Sequence, residues 1–532
     1  MSNISHLPTP DTNGSVAERL FRSLVGDSSE VVTIGQLVRI LEASGLRRDD
    51  RRLRSTWNNI DQTDAAQPID ADEFERILAP EESVLVERAL SGHLILPDFA
   101  DFRTRLTEIF ERCREDRSGA VASYIPQLAR VEPDKFGLGV CSVDGQQFSL
   151  GDDADRYCVQ STCKPMLYAL ANELHGRETV HRHVGREPSG RSFNELTLSH
   201  AGLPHNPMIN AGAIMSASLI KPGEPLAERF DYIVGKWRDM SGGTAPGFDN
   251  AVFLSEKATA DRNFALAYFM RENGAFAPGT DLMETLDFYF QCCSLRLDVR
   301  QMSVIAATLA NGGVCPLTNE RVLGAESVRN CLSLMYSCGM YDFSGEFAFT
   351  VGIPAKSGVS GALMLVIPGV CGIALWSPRL DRCGNSVRGV RFAEELAQTF
   401  AFHSYASMIE DASLIDPTAS QSARRADVSG HACAAAASGD VGELRRLVAM
   451  GADLSQPDYD GRTALHLAAC EGQVNALRFL LGLGFAAEPR DRWGNTPLDD
   501  AKREGRKPIV ELLSGLAGKS GTGKVKRSRK AA

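Results

Sequence analysis

The chain has 532 residues, 43% of them hydrophobic and 23% charged, which is enough apolar material for several globular domains and excludes an intrinsically disordered protein. Its net charge of -10 excludes general nucleic-acid affinity for the body of the protein. The 13 cysteines lie between Cys113 and Cys470 without C-x-x-C spacing, so we expect reduced, buried thiols, no disulfide and no zinc site.

The N-terminal segment lacks the features of a targeting sequence, because its first 30 residues contain four acidic residues against Arg19 and Arg22 and no apolar run. Helical apolar spacing follows and resembles a pair of EF-hands. The loop that ends at Glu73 keeps Asp64, but it has no acid at its first position and has Gln67 where glycine is needed. We therefore expect a helical pair that serves packing or assembly, without calcium.

The string Ser161-Thr162-Cys163-Lys164 places a hydroxyl and an amine one helical turn apart. Such a pair is a nucleophile beside its base, since a desolvated lysine accepts a proton more readily than a solvated one. The alternative is a surface helix with Ser161 as its N-cap. Cys163 lies beside this pair, and we expect it to pack in the core.

A second string, Lys356-Ser357-Gly358, precedes an apolar segment. Together, S-x-x-K on a helix and K-[ST]-G on a strand are the set used by penicillin-binding proteins and serine β-lactamases. Their geometry predicts an oxyanion hole formed by the backbone N–H groups of Ser161 and Val359. The two motifs therefore indicate acyl transfer.

The uncharged run between Lys356 and Arg379 is long enough to span a membrane. Glycines and Pro368 divide it, and we predict two buried strands, 362–367 and 370–376, and no membrane span.

His181-Arg182-His183 places two imidazoles on one side of a predicted strand, but no further ligand completes a metal site.

The C-terminal part is periodic. The string from Gly461 to Ala469 recurs from Gly494, 33 residues further on, which is the spacing of ankyrin repeats. About three repeats are predicted, and their usual role is to bind another protein. The basic tail from Gly518 imitates a phosphate loop, but Val525 stands at the hydroxyl position, so we expect no nucleotide site.

The central region carries further strings with a recognisable order. They are Tyr124-Ile125-Pro126-Gln127-Leu128, Gln160-Ser161 with Lys164, His205-Asn206-Pro207-Met208-Ile209-Asn210-Ala211-Gly212-Ala213, Asp261-Arg262-Asn263, Asp287-Phe288-Tyr289-Phe290, Gly339-Met340-Tyr341-Asp342-Phe343-Ser344-Gly345 and Pro354-Ala355-Lys356-Ser357-Gly358-Val359. These strings resemble those of serine-dependent glutaminases, and the flanking domains resemble the animal, kidney-type enzymes.

The resemblance implies hydrolysis of L-glutamine to L-glutamate and ammonia through a γ-glutamyl ester on Ser161, with no cofactor and no metal. Lys164 is then the base for the serine, and Tyr341 relays protons to the departing ammonia. Glu256 is the natural partner of the α-ammonium group of glutamine. The substrate-binding set implied by the resemblance is Tyr124, Ser161, Asn210, Glu256, Asn263, Tyr289, Tyr341 and Val359.

One segment departs from the animal pattern. Ser192 and Glu195 stand where basic residues are expected, and Thr197 stands where an aromatic residue is expected. We therefore expect weak phosphate activation, because an acidic side chain repels the anion.

A homodimer or homotetramer is implied by the resemblance. The missing transit peptide favours a cytoplasmic location, with a mitochondrial one as the alternative.

The predicted fold class is α+β, with a β-lactamase-like serine hydrolase domain between an EF-hand-like helical region and all-α ankyrin repeats. Two other functions remain: a β-lactam or penicillin-binding acyl hydrolase, and an inactive scaffold that binds partners through its ankyrin repeats. The predicted domains are residues 1–105 (EF-hand-like), 106–408 (catalytic), 409–430 (linker), 431–517 (ankyrin repeats) and 518–532 (disordered basic tail).

Overall fold

The computed structural model describes residues 33–190, 195–408, 413–419, 421–449 and 453–517. The chain divides into two compact units, with the boundary after Met408. The first unit holds the N-terminal helices and the central region, and the second holds the C-terminal helices. Among the described residues, no helix combines the length and apolar character that crossing a membrane requires.

From residue 33 onward, four α-helices precede the central region: α1 (Ile34–Ala43), α2 (Arg54–Asp61), α3 (Ala71–Ile77) and α4 (Ser83–Leu90). They enclose a core of their own around Trp57 and Phe74. Asp70 caps α3 by accepting a hydrogen bond from the Glu73 N–H, and Asp64 accepts one from the Ala66 N–H. These carboxylates therefore stabilise the loop directly.

A five-stranded antiparallel sheet in the order β2-β1-β8-β7-β6 forms the centre of the first unit. Glycines allow the helix α14 (Val299–Ala310) to lie against this sheet. A Cβ atom on Gly139 or Gly372 would collide with the backbone of that helix. Gly389 on α17 packs against Leu363 of β7. The strands are β1 (Gly137–Ser142), β2 (Gln147–Gly151), β6 (Ala355–Ser357), β7 (Ala362–Ile367) and β8 (Cys371–Trp376).

The prediction of two buried strands in the uncharged run is confirmed, because β7 and β8 are buried throughout.

A small second sheet has the order β3-β5-β4, from β3 (Tyr157–Cys158), β4 (Gly247–Phe248) and β5 (Leu295–Leu297). The helices around the two sheets are α5 (Phe99–Arg114), α6 (Pro126–Ala129), α7 (Lys164–His175), α8 (Arg177–Val180), α9 (Asn210–Ser218), α10 (Leu226–Met240), α11 (Asn250–Ala258), α12 (Asp261–Glu272), α13 (Leu282–Cys293), α14 (Val299–Ala310), α15 (Ala325–Cys338), α16 (Ser344–Thr350) and α17 (Val387–Thr399).

The second unit is helical, with one core from Ala432 to Leu513. Equivalent threonines 33 residues apart, Thr463 and Thr496, each close a capping box at a helix start. This repetition of one cap is the structural form of the sequence period. The helices are α18 (Gln421–Ser438), α19 (Val441–Ala449), α20 (Ala464–Glu471), α21 (Val474–Gly482), α22 (Pro497–Arg503) and α23 (Lys507–Ala517).

Candidate active site

Ser161 lies in a 3-10 turn, Gln160–Cys163, that leads directly into α7. The motif was expected on one helix, and Pro165 explains the difference. In a continuous α-helix its ring would collide with the carbonyl group of Ser161, four residues earlier, and it has no N–H to bond that oxygen. The Lys164 N–H donates to this carbonyl oxygen instead. Ser161 is buried, so the surface N-cap interpretation is wrong.

The Lys164 side chain is completely buried and has an amide as its partner. Its Nζ donates a hydrogen bond of 2.7 Å to Oδ1 of Asn210, and Asn210 Nδ2 donates one of 3.1 Å to Oδ1 of Asn263. Burial lowers the pKa of Lys164 to about 8, since a desolvated ammonium group is unfavourable. A substantial fraction of Lys164 is therefore a neutral amine near pH 8, as a general base requires.

Tyr341 also contacts Ser161. Burial raises the pKa of its phenol, while a hydrogen bond with Ser161 acts in the opposite direction. The group is therefore a protonated phenol at neutral pH, suited to donating a proton rather than to acting as the first base.

Gln160 and Tyr341 both have left-handed backbones, with φ of 48° and 54°. This conformation costs a residue with a side chain about 1–2 kcal/mol. Strain of this kind is commonly retained at functional sites, where the surrounding structure enforces it. Here it lies directly before the serine and at the phenol that contacts it.

Lys356 joins the K-S-G strand to the turn that carries Tyr341. Its Nζ donates hydrogen bonds to the carbonyl oxygens of Gly339 (3.0 Å) and Ser357 (2.7 Å), and it lies 4.4 Å from the centroid of the Tyr341 ring. Burial and the nearby Lys164 lower the pKa of Lys356 well below its usual value. The K-S-G motif and the turn that carries Tyr341 therefore form one structural unit.

Gly358 brings this strand against the 3-10 turn. A Cβ atom at this position would lie 3.0 Å from the Val159 carbonyl oxygen and 3.2 Å from Cγ2 of Thr162. Only glycine permits so close an approach without displacement. Val359 thereby lies on the same cavity as Ser161.

That cavity has a volume of about 350 Å³. Glu256 is the carboxylate in its lining, and its Oε1 accepts hydrogen bonds from the Tyr124 hydroxyl (2.7 Å) and from Gln160 Nε2 (3.0 Å). Burial raises the pKa of Glu256, and these two donors oppose the shift. The lining residues are Tyr124, Gln160, Ser161, Asn210, Glu256, Thr259, Ala260, Arg262, Asn263, Tyr289, Phe290, Cys293 and Val359.

The structure thus brings seven of the expected site residues to one cavity, namely Tyr124, Ser161, Asn210, Glu256, Asn263, Tyr289 and Val359. Lys164 contacts the lining through Asn210. Tyr341 belongs to the lining of a second cavity of about 450 Å³ and touches the site through Ser161. Gln160 was assigned no role from the sequence, although its position before the nucleophile and its polar side chain were the available signals.

The interpretation of His181-Arg182-His183 as a strand is wrong. These residues form a turn after α8. His181 bonds the Tyr168 hydroxyl (2.8 Å) and the Val184 carbonyl oxygen (2.9 Å), and His183 bonds the Ala275 carbonyl oxygen. Within the described part of the chain, no cluster of three or more metal-ligating side chains was found. Cys163 lies in the hydrophobic core, as expected.

Family models place this site in context. A model described as Glutaminase matches residues 119–405, which include every expected site residue. A mouse protein named "Glutaminase liver isoform, mitochondrial" is 44% identical over 449 residues, which is 84% of this chain and 74% of the mouse protein. The chain belongs to the glutaminase family. The flanking regions also match, with an EF-hand domain at residues 16–97 and three ankyrin repeats at 432–521.

Other glutaminases resemble all or part of the chain. "Putative glutaminase 3" of Caenorhabditis elegans is 46% identical over 462 residues, 85% of this chain and 79% of that protein. The probable glutaminase ybaS has a solved structure with a TM-score of 0.53 and 36% identity, covering 56% of this chain and 96% of its own. A structure of Mglu in its glutamate form reaches a TM-score of 0.54 at 37% identity, covering 56% and 69%. The expected fold class and the flanking domains are therefore confirmed.

Glu195, which stands where the family resemblance implies a basic residue, acts on the residue that follows Tyr341. Asp342, the next residue, lines the second cavity, and burial together with the negative charge of Glu195 raises its pKa. Ser192 lies outside the described residues. Glu195 therefore adds negative charge to this side of the site.

Proposed function

We propose that Ser161 is the nucleophile with which this glutaminase hydrolyses L-glutamine to L-glutamate and ammonia. Ser161 Oγ attacks the γ-carboxamide carbon, and its proton moves to neutral Lys164. Ammonia leaves with a proton delivered through Tyr341, which leaves a γ-glutamyl ester on Ser161. Water then attacks the ester, gives up a proton and releases glutamate, and the serine regains its hydrogen. The observation that carries this assignment is the complete burial of Lys164, three residues after Ser161 where the 3-10 turn runs into the helix, which lowers its pKa.

The tetrahedral intermediate carries negative charge on the former amide oxygen. We assign its stabilisation to the backbone N–H groups of Ser161 and Val359, which the close approach of Gly358 brings to one cavity. Loss of one such donor typically costs about 2.7–4 kcal/mol of transition-state stabilisation.

Selection of glutamine rests on Glu256 in this proposal. Its buried carboxylate attracts the α-ammonium group, while Asn263, Tyr289 and other amides and phenols of the lining donate to the α-carboxylate. The solved structure of Mglu in its glutamate form, 37% identical to this chain, supports a site of this chemistry.

The experiment that tests this function compares glutamine with 5-amino-5-oxopentanoate, which lacks the α-ammonium group. Glu256→Gln should raise KM for glutamine at least about tenfold, because a desolvated ion pair is lost, and should leave turnover of the analogue nearly unchanged. Equal losses with both compounds would contradict the role of Glu256. Turnover of nitrocefin without ammonia release from glutamine would instead support the β-lactam alternative.

The remaining assignments concern partners and location. We propose a homodimer or homotetramer, a protein partner at the ankyrin repeats, and a cytoplasmic location. The mouse relative is named as mitochondrial, so that location is the alternative. Light scattering of the full chain and fractionation of cells that express it test these proposals.

A further inference from the structure

Two cysteine thiols meet beside the proposed catalytic serine. Cys163 ends the 3-10 turn that carries Ser161, and Cys293 ends α13. Their sulfur atoms are 3.8 Å apart, within the distance of a thiol–thiol hydrogen bond. Both residues are buried, and both are free cysteines. The contact therefore joins the nucleophile's turn to the helix that carries Tyr289.

One member of the pair borders the substrate cavity. Cys293 belongs to its lining, whereas Cys163 lies behind it in the core. The Cys293 thiol also makes a hydrogen bond with Tyr289. A small reagent that enters the cavity thus reaches Cys293 first, and glutamine or glutamate in the cavity shields it.

We propose that Cys163 and Cys293 form a dithiol modification site, which a small hydroperoxide entering through the glutamine cavity converts to a disulfide that stops hydrolysis. This inference rests on the proposed assignment of the cavity to glutamine. The fold needs little change to form the bond, because the sulfur atoms must approach by roughly 1.8 Å from 3.8 Å to the S–S length of about 2.05 Å.

The chemistry balances with the hydroperoxide as oxidant. The sulfur of Cys293 attacks the peroxide, the O–O bond breaks, and a sulfenic acid and an alcohol (water, for hydrogen peroxide) are formed. The sulfur of Cys163 then attacks the sulfenic sulfur, the S–S bond forms, and water leaves with the sulfenic oxygen. Two thiols lose two electrons in total, the hydroperoxide gains them, and the thiol protons end on the alcohol and on water.

The surroundings of the pair control the rate. The hydrogen bond to Cys163 and burial raise the pKa of Cys293, so the thiol is protonated at neutral pH. Only the thiolate attacks peroxide rapidly. Oxidation is therefore slow at pH 7 and accelerates as the pH rises.

Closure of the bond disturbs the catalytic groups. Cys163 lies between Ser161 and Lys164 in sequence, and the Cys293 thiol that bonds Tyr289 is consumed when the S–S bond forms. A displacement of about 1 Å in a reacting group can lower the rate roughly 100-fold. We therefore expect a loss of that size in glutamine turnover.

The test treats the full chain with hydrogen peroxide at about pH 8.5, the pKa of an ordinary cysteine thiol. It is run with and without saturating glutamate and follows glutamine turnover together with peptide mapping by mass spectrometry. We expect a peptide linked through Cys163 and Cys293, loss of turnover, recovery with dithiothreitol, and protection by glutamate. Cys292→Ala, a buried neighbour on the same helix, should behave like the wild type. Cys163→Ala should not give the link, because the sulfenic acid on Cys293 then has no second thiol to attack it at this site.

Two results would overturn the inference. One is peroxide inactivation of the wild type without the linked peptide, and the other is undiminished glutamine turnover by protein that carries the link. The linked peptide is detected by mass, so it is judged separately from turnover. A chain that forms the link but never hydrolyses glutamine would overturn the proposed function and leave the dithiol site intact.

Discussion

The residue on which the chemistry depends most is Lys164. The sequence predicted its pairing with Ser161 from spacing alone, but the direction and size of the pKa change follow from burial, which spacing does not reveal. Its amide partner, Asn210, comes from another helix 46 residues away. The string around Asn210 suggested the family, whereas the contact between Asn210 and Lys164 required the three-dimensional structure.

The pH dependence follows from this pKa. Lys164 accepts a proton only when it is neutral, so kcat/KM should rise with pH and level off above about 8. The sign is fixed by burial, which lowers the pKa of a lysine and moves the neutral form toward neutral pH. Initial rates from pH 6 to pH 10 in buffers of constant ionic strength measure it, where roughly tenfold loss per pH unit is expected on the acidic side. A profile that is flat across this range would contradict the role of Lys164 as base.

Substitution of Asn210 should move that profile. Asn210→Asp places a carboxylate within hydrogen-bond distance of the ammonium group, which raises the pKa of Lys164 by about one unit or more and shifts the acidic limb to higher pH. Asn210→Ala serves as the matched control, because it removes the acceptor without adding charge. Both variants should lose activity, but only Asn210→Asp should move the acidic limb of the pH profile to higher pH.

At the scale of elements, the local sequence pattern predicted some helices and strands correctly and others wrongly, for identifiable reasons. Glycines and a proline delimited β7 and β8 correctly. The helix expected across Ser161 became a 3-10 turn because Pro165 prevents a continuous α-helix. The histidine pair was assigned to a strand from alternation alone, which three residues cannot establish against a turn. The contact between the K-S-G strand and this turn depends on Gly358. The paired motifs predicted this contact, whereas hydrophobic periodicity does not extend over that sequence distance.

Gly358→Ala tests that contact. The added Cβ atom would press on Val159 and Thr162, so the strand must move and the Val359 N–H with it. We expect kcat to fall roughly 100-fold. The free energy of unfolding should change by only about 1–3 kcal/mol. Gly235→Ala on α10, where the Cβ atom meets nothing within 4 Å, should keep normal kcat. Enzyme kinetics and thermal denaturation of both variants distinguish a catalytic effect from general unfolding.

The negative charge of Glu195 near Asp342 predicts a weak response to phosphate. Glu195 already interacts unfavourably with Asp342, so an anion is repelled there. Phosphate at constant ionic strength should raise the activity of the wild type by less than about tenfold, and Glu195→Lys should increase this response. Glu195→Gln is the neutral control. A large activation of the wild type would show that the anion binds elsewhere.

At the scale of the whole molecule, the expected site residues all lie in the first compact unit. The Nostoc relative named "Glutaminase" is 43% identical over 304 residues, covering 57% of this chain but 90% of its own, so the central domain occurs largely without the flanking regions. Composition and repeat period indicated the two flanking modules from sequence. Neither period nor composition specifies what the ankyrin repeats bind.

Truncation after Met408 should therefore preserve catalysis. We expect the shortened protein to hydrolyse glutamine with kcat/KM within about threefold of the full chain, since each compact unit has its own core. Size-exclusion chromatography of both proteins serves as the control for assembly. A complete loss of turnover in a folded, truncated protein would show that the ankyrin unit is required for the activity.

The central claim is that glutamine is hydrolysed through an ester on Ser161. Rapid acid quenching during turnover of carbon-labelled glutamine, followed by peptide mapping, measures this intermediate directly. We predict label on the peptide that contains Ser161, and neither label nor glutamate production in Ser161→Ala. Label on a different residue, or undiminished glutamate production by Ser161→Ala, would contradict it.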